Sequence, residues 1–173
     1  MIDSNIPTIH LEQAEDVEGV RQVNQLAFGT SAEAELVDQL RSREKLIVSL
    51  VAEIGDKIVG HIAFSPVHIT STPSLRGIGL GPMAVIPILQ RHGIGTALIC
   101  AGLNRCRELD YDFAVVLGHP NYYPRFGFIP ANRFGMTCIW QVPDDVFMAL
   151  ELREHSLGGS LGLTTYEPEF NEV

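Results

Sequence analysis

The chain lacks most features that mark membrane, secreted or metal-binding proteins. Its 173 residues contain no apolar run near the ~20 residues that a membrane-spanning helix needs. The first five residues lack the basic start of a signal peptide. The three cysteines are odd in number and are not spaced as metal ligands. We therefore expect a cytoplasmic protein with free thiols, no membrane partner and no metal.

Basic residues are also scarce. The sequence has 12 Lys and Arg against 21 Asp and Glu, a formal net charge of −9. A nucleic-acid-binding face needs clustered Lys and Arg, so we expect no nucleic-acid partner. The net negative charge of the chain would repel an anionic ligand, so local N–H groups would have to hold such a ligand in place.

The hydrophobic content is sufficient for one core. Apolar residues make up 46% of the 173-residue chain, which is enough for the core of one domain, and the chain is short for two domains. We predict one domain over residues 1–173, with a core of about 6–153, an extension at 154–173, and a monomeric or homodimeric state.

The stretch 80–98 joins an apolar run to a helix through a loop with two glycines. Apolar residues recur with helical spacing from Ile94 onward, which predicts a helix that begins near Gly93. The first amides of a helix have no partner within it and carry the positive end of its dipole, so they suit an anion such as phosphate. Gly93 and Gly95 remove side chains that would keep the anion away.

The sequence of this loop does not match the motifs of two common phosphate-binding loops. A P-loop needs Lys and then Ser or Thr after its last glycine, whereas Thr96 and Ala97 follow Gly95. A dinucleotide fingerprint needs a third glycine and an acidic residue ~20 positions further on. The loop therefore belongs to another class of anion site.

The rest of the chain alternates between helical and strand patterns. Helices are predicted from about Val17 to a stop at Gly29, and from Ala32 with Ser31 as the N-cap. Strands are predicted at 8–12, 47–54, 57–64, 113–117, 136–139 and 147–152. The order strand, helix, strand around the glycine loop implies parallel pairing of the two strands. From Gly158 onward the sequence predicts an extended tail.

Two motifs together resemble those of a known family. The stretch Gln-Arg-His-Gly-Ile-Gly at 90–95 resembles the pyrophosphate loop of the GCN5-related N-acetyltransferases, the GNAT family. The Tyr-x-x-x-Gly-Phe pattern at 123–128 resembles the family's second motif at the expected place in chain order. From about Glu35 to Phe170 the chain is similar to the YhbS-like bacterial subgroup. This implies an α/β (α+β) fold whose mixed sheet is splayed between two parallel strands, with helices on both faces.

The resemblance also implies an acetyl-CoA site. The backbone of the strand before the loop would pair with the pantetheine arm, and the loop amides would take the pyrophosphate. The implied binding residues are Met83, Ala84, Val85, Gln90, Arg91, His92, Gly93, Ile94, Gly95 and Thr96. His92 stands where the family more often has Lys or Arg, so its contribution would depend on pH.

The implied activity is acetyl transfer from acetyl-CoA to a primary amine by direct attack. The acceptor would be a small molecule or an exposed amino group, and the acidic chain favours a cationic one. Tyr123 matches the family's general acid, with Tyr122 as the nearest rival. A backbone N–H near Val85 is the simplest donor to the oxyanion.

The sequence leaves the general base and one alternative function open. The candidates for the base are His61, His119, Glu33 and Glu35, and solvent could also take the proton. The alternative function is a non-catalytic module of the same fold that senses acyl-CoA.

Overall fold

The computed structural model describes residues 6–159 and 161–173. The residues that carry the signal-peptide argument and part of the predicted domain, 1–5, lie outside this range. The strands are β1 (Thr8–Leu11), β2 (Val48–Ile54), β3 (Lys57–Ile69), β4 (Gly77–Val85), β5 (Phe113–Leu117), β6 (Ile129–Pro130), β7 (Met136–Cys138), β8 (Phe147–Glu151) and β9 (Gly162–Tyr166). The helices are α1 (Val17–Phe28), α2 (Ala32–Ser42) and α3 (Ile94–Glu108).

The strands form a mixed sheet in the order β1-β2-β3-β4-β5-β8-β6, with β9 joined to β3 and β7. Strands β4 and β5 are parallel, as are β7 and β9, while β1, β2 and β3 are antiparallel neighbours. The β4–β5 register covers Gly77 to Gly79, and β4 then runs on to Val85. The predicted mixed sheet, with parallel pairing across the glycine loop, is confirmed.

The described chain divides into two compact units. One comprises residues up to Phe64, Gly81–Gly102 and Glu169–Val173, and the other comprises Ser65–Leu80 and Leu103–Pro168. Strands β3 and β4 and helix α3 each pass from one unit into the other. The division into one domain over residues 1–173 stays a prediction.

Within the first unit, strand β3 has helices on its two faces. A Cβ atom at Gly60 would lie 3.1 Å from Ile94 Cγ2 and 3.0 Å from Leu98 Cδ1, both on α3. The next residue, His61, contacts Asn24 of α1. Because successive strand residues point to opposite faces, α1 and α3 cover opposite faces of β3. The prediction of helices on both faces is confirmed here.

Helices α1 and α2 of the first unit pack through apolar side chains and through an ion pair between Arg21 and Asp38. Val20 and Val37 form a buried cluster with Val51 and Ala63.

Helix α1 ends at Gly29, which has a φ of +75° and donates its N–H to Gln25 O, so the predicted stop is confirmed.

Two local predictions differ from the structure. The Ser31 hydroxyl donates to Glu35 Oε1 at 2.7 Å and, within the described chain, makes no capping bond to the α2 backbone. The extended tail predicted from Gly158 is also wrong, because β9 pairs with β3 and β7. After β9, Pro168–Glu172 forms a 3-10 turn.

Among the residues that the structure describes, no helix is long and apolar enough to cross a membrane.

Candidate functional site

The end of strand β4 carries the first three predicted binding residues. Met83 is half-buried, while Ala84 and Val85 are buried. Ile86 donates its N–H to Val59 O at 3.0 Å, which ties the end of β4 to β3. Gln90 Nε2 donates to Val85 O at 3.0 Å and draws the following loop back to the strand. The structure therefore brings the predicted residues of β4 and of the loop together.

The loop between β4 and α3 is held in a specific backbone conformation. Residues Pro87–Leu89 form a 3-10 turn. Arg91 and Gly93 then adopt φ values of +65° and +85°. Glycine adopts this left-handed region at little cost, whereas a residue such as Arg91 is strained there by roughly 1 to 3 kcal/mol. His92 Nδ1 donates to Gln90 O at 2.8 Å, which links the histidine to its own loop.

The first turn of α3 follows this loop directly, and its first helical hydrogen bond is made by Ala97. Ala97 donates its N–H to Gly93 O at 3.0 Å, and the amides of Ile94, Gly95 and Thr96 precede this first helical bond. Such amides have no acceptor within a helix. Apart from Gly93 and its two chain neighbours, no described residue has an atom within 4 Å of the position that a Cβ at Gly93 would take. An open glycine position before a helix N-terminus has the general properties of an anion site.

Tyr123 lies in the second unit, at the start of a 3-10 turn that ends at Gly127. Its side chain is 8% exposed, and burial raises the pKa of its phenol to about 12. Tyr122 and Phe128 pack edge-on against its ring, with centroids at 5.2 and 5.8 Å. Gly127 adopts a φ of +97° and donates its N–H to Pro124 O at 3.0 Å. The motif Tyr-x-x-x-Gly-Phe is therefore a turn that packs Tyr123 against Phe128.

Gly118 adjoins the Tyr123 ring, and sequence reasoning missed it. A Cβ at this position would lie 2.2 Å from Tyr123 Cε2, so the ring occupies space that only glycine leaves. The available signal was a glycine directly after the buried strand β5 and five residues before the tyrosine.

Tyr122 has a different environment from Tyr123. It is half-buried, and the Arg125 guanidinium stacks 4.5 Å from its ring centroid. Arg125 Nε also donates to Tyr122 O at 3.0 Å. These contacts hold Tyr122 against an exposed arginine, whereas the Tyr123 ring is enclosed by aromatic groups.

The structure separates the four candidate bases. His61 is fully buried, its Nδ1 accepts from Asn24 Nδ2 at 3.1 Å, and its Nε2 donates to Ser49 Oγ at 2.9 Å. Burial, and then the charge of Arg41, lower the pKa of His61 to about 3. Both ring nitrogens are occupied and the ring is neutral, so His61 has the properties of a structural residue.

The other three candidate bases lie at or near the surface. Glu33 and Glu35 accept hydrogen bonds from Thr30 and Ser31 at the start of α2, at 3.0 and 2.7 Å. His119 is exposed after β5. Within the described chain, no group of three or more His, Cys, Asp or Glu side chains is arranged to hold a metal ion.

Comparison with known proteins gives a consistent result. The family model described as an acetyltransferase (GNAT) domain matches residues 8–131. The uncharacterized N-acetyltransferase YhbS of Escherichia coli K12 is 33% identical over 164 residues, 94% of this chain and 98% of YhbS. The uncharacterized N-acetyltransferase YjhQ of the same organism is 37% identical over 143 residues, 80% of this chain and 78% of YjhQ.

Two solved structures extend the comparison to the fold. Escherichia coli YhbS in complex with CoA matches with a TM-score of 0.91 and 32% identity, covering 96% of this chain and 92% of that one. A GNAT family acetyltransferase from Brucella melitensis in complex with acetyl-CoA matches with a TM-score of 0.79 and 34% identity, covering 95% and 97%. The chain therefore belongs to the GNAT family of acetyl-CoA-dependent N-acetyltransferases.

Proposed function

We propose that the protein transfers the acetyl group of acetyl-CoA to a primary amine of a small molecule or an exposed amino group by direct attack. The observation that carries this proposal is the loop at the start of α3, where a left-handed glycine with open space precedes the first helical amides. The CoA complex of Escherichia coli YhbS supports it, because that structure covers 96% of this chain.

The donor substrate would be held by backbone groups of the first unit. The backbone of Met83, Ala84 and Val85 would pair with the pantetheine arm. The amides from Arg91 to Thr96 would bind the pyrophosphate with the helix dipole, as anions are bound at helix N-termini. Gln90 would keep the loop in place through its bond to Val85 O.

The reaction needs three groups beyond the donor site. The amine must be neutral, a donor must stabilise the oxyanion, and an acid must assist the departing thiolate. A backbone N–H near Val85 would serve the oxyanion, and Tyr123 would serve the thiolate. A fully buried neutral His61 would leave deprotonation of the amine to solvent or to another group.

The test of the donor site is calorimetric titration with acetyl-CoA, CoA and ATP. We expect micromolar binding of acetyl-CoA that is lost in Gly93→Glu, because the new carboxylate would face the pyrophosphate. The matched control is Gly55→Glu in the β2–β3 turn. Gly55 also has a positive φ, +61°, and, apart from its two chain neighbours, no described residue has an atom within 4 Å of its Cβ position. This control therefore adds the same charge and a similar backbone strain away from the loop.

The acceptor is tested by CoA release with polyamines, aminoglycosides, amino acids and basic peptides. We expect the preferred acceptor to be cationic because the chain carries a net charge of −9. Acetyl-CoA binding without release of CoA for any amine would favour the acyl-CoA-sensing alternative. No binding, or equal loss in Gly55→Glu, would contradict the proposed donor site.

A further inference from the structure

The carboxylate of Glu169 is buried and has only one of its two oxygens paired. Its side chain is 4% exposed, and Oε1 lies 3.0 Å from Arg43 Nη1. Arg43 is the C-cap residue of α2, and its side chain is 64% exposed. The second oxygen, Oε2, is buried and has no hydrogen-bond partner among the residues that the structure describes.

An unpaired buried oxygen of this kind is energetically unfavourable. Removing a charged group from water costs free energy unless its lone pairs are satisfied. Arg43 is largely exposed to water and reaches only Oε1, so one of the two oxygens of the Glu169 carboxylate stays unpaired. Native proteins rarely keep such an orphan without a functional reason or a further partner.

The 3-10 turn that carries Glu169 lies beside strand β4. A Cβ at Gly81 would lie 3.5 Å from Cζ of Phe170, the residue after Glu169. Gly81 precedes Met83, the first residue proposed to pair with the pantetheine arm, by two positions. The turn is therefore packed against the strand on which the donor substrate is proposed to lie.

We propose that Glu169 determines the acceptor class, with Oε2 accepting a hydrogen bond from the ammonium or amine group of the acceptor. A primary amine supplies the charged N–H donor that this oxygen lacks. Because Oε2 is buried in the free chain, binding requires a small shift of the turn at Pro168–Glu172. The turn is held to α2 by the exposed Arg43 and by a 3.3 Å bond from Gln39 Nε2 to Glu172 Oε2.

This inference rests on the proposed function but has a test of its own. Protein labelled with ¹³C at glutamate Cδ and saturated with CoA is titrated at pH 7 with n-butylamine, and with n-butanol as its neutral isostere. The Glu169 resonance is assigned by its loss in Glu169→Gln. We expect it to shift saturably with the amine and not with the alcohol, and to shift more than the Glu172 resonance, which reports only the movement of the turn. No shift at Glu169, or an equal shift at Glu172, overturns the inference.

A set of three variants separates amine binding from a structural role of the same ion pair. Glu169→Gln should lower kcat/KM for the amine acceptor about 10- to 100-fold, the range expected for a lost charged hydrogen bond, with KM for acetyl-CoA unchanged. Arg43→Gln keeps the carboxylate, so it should retain the acceptor KM of the wild type or lower it. Glu172→Gln, on the same turn, should behave as the wild type.

The outcomes distinguish the two proposals. Equal kinetic losses in Glu169→Gln and Arg43→Gln would show that the ion pair only holds the turn to α2. That result would overturn the inference and leave the proposed function unaffected. An amine-induced shift at Glu169 without acetyl transfer to any amine would contradict the proposed function and leave the amine site standing.

Discussion

At Tyr123, burial and the proposed chemistry act in opposite directions. A phenol with a pKa of about 12 stays protonated at neutral pH and can donate a hydrogen bond. Complete proton transfer to a thiolate, whose conjugate thiol has a pKa near ~8.5, would cost about 5 kcal/mol. The environment therefore favours stabilisation of the leaving thiolate by a hydrogen bond over full transfer before the C–S bond breaks.

Replacing this phenol gives the first prediction. Tyr123→Phe should lower kcat by about 100- to 10,000-fold, the usual range for loss of an acid catalyst. Its Kd for acetyl-CoA should change less than about twofold, because the proposed cofactor contacts are backbone groups of the other unit. Calorimetry and CoA-release kinetics on the same preparation measure both. Tyr122→Phe is the matched control, and a larger loss there would reassign the acid.

The space at Gly118 gives a second prediction. A methyl group 2.2 Å from Tyr123 Cε2 must displace the ring, so Gly118→Ala should move the phenol toward water and its pKa toward ~10. NMR of ¹³Cζ-labelled tyrosine at pH 11 measures the ionised fraction. Wild-type Tyr123 should remain protonated there, while the variant should be largely ionised.

The control for Gly118 is another glycine of the same unit. A Cβ at Gly77 would lie 2.2 Å from Cζ of Phe113. Gly77→Ala should therefore produce similar crowding and destabilisation without changing the titration of Tyr123. If both variants leave Tyr123 protonated at pH 11, Gly118 does not position the ring.

At the scale of elements, local patterns predicted the elements whose ends are marked by glycine. Positive φ occurs at Gly29 where α1 ends, at Gly93 before α3, and at Gly55 between the strands predicted at 47–54 and 57–64. The strand β9 escaped prediction because the glycines at 158, 159 and 162 are typical of a flexible segment. Its partners β3 and β7 are distant in sequence, so no local signal shows that pairing.

The start of α2 gives a prediction of small effect. A serine N-cap normally contributes ~1 kcal/mol through its bond to a backbone amide. Ser31 donates instead to the exposed Glu35 carboxylate, so Ser31→Ala should lower the free energy of unfolding by less than about 0.5 kcal/mol. Urea denaturation measures the change.

A positive control for this measurement lies two residues earlier. Gly29→Ala places a side chain at a φ of +75° and should cost about 1 kcal/mol or more. If Ser31→Ala lowers the free energy of unfolding by as much as Gly29→Ala, the serine caps α2 in solution.

At the scale of the whole molecule, the sequence predicted which apolar residues are buried better than it predicted the partners of the polar side chains. The alternation in β3 placed His61 on one strand face but could not tell which partner covered it. The structure joins His61 through Ser49 to Glu12, and Glu12 pairs with Arg41 Nη2 at 2.6 Å. These residues lie on separate elements, and their pairing depends on packing that periodicity does not encode.

The burial of His61 within this network predicts how stability falls in acid. His61 has a folded pKa of about 3, below the ordinary value of 6.5, so the unfolded chain binds the proton more readily. The contribution of this histidine is therefore present above about pH 6.5 and is lost progressively as pH falls toward 3. Linkage gives a loss of about 2 kcal/mol between pH 7 and pH 5 from this group.

Urea denaturation of the wild type and of His61→Gln at pH 7 and pH 5 isolates that loss, because the other titrating groups are shared. The variant should be less stable than the wild type at pH 7, and this difference should shrink by about 2 kcal/mol at pH 5. His155→Gln, at a histidine whose side chain is 88% exposed, should follow the wild-type dependence. An unchanged difference between His61→Gln and the wild type at the two pH values would mean that His61 is hydrated or charged in the folded protein, since only a neutral, buried ring releases its proton on folding.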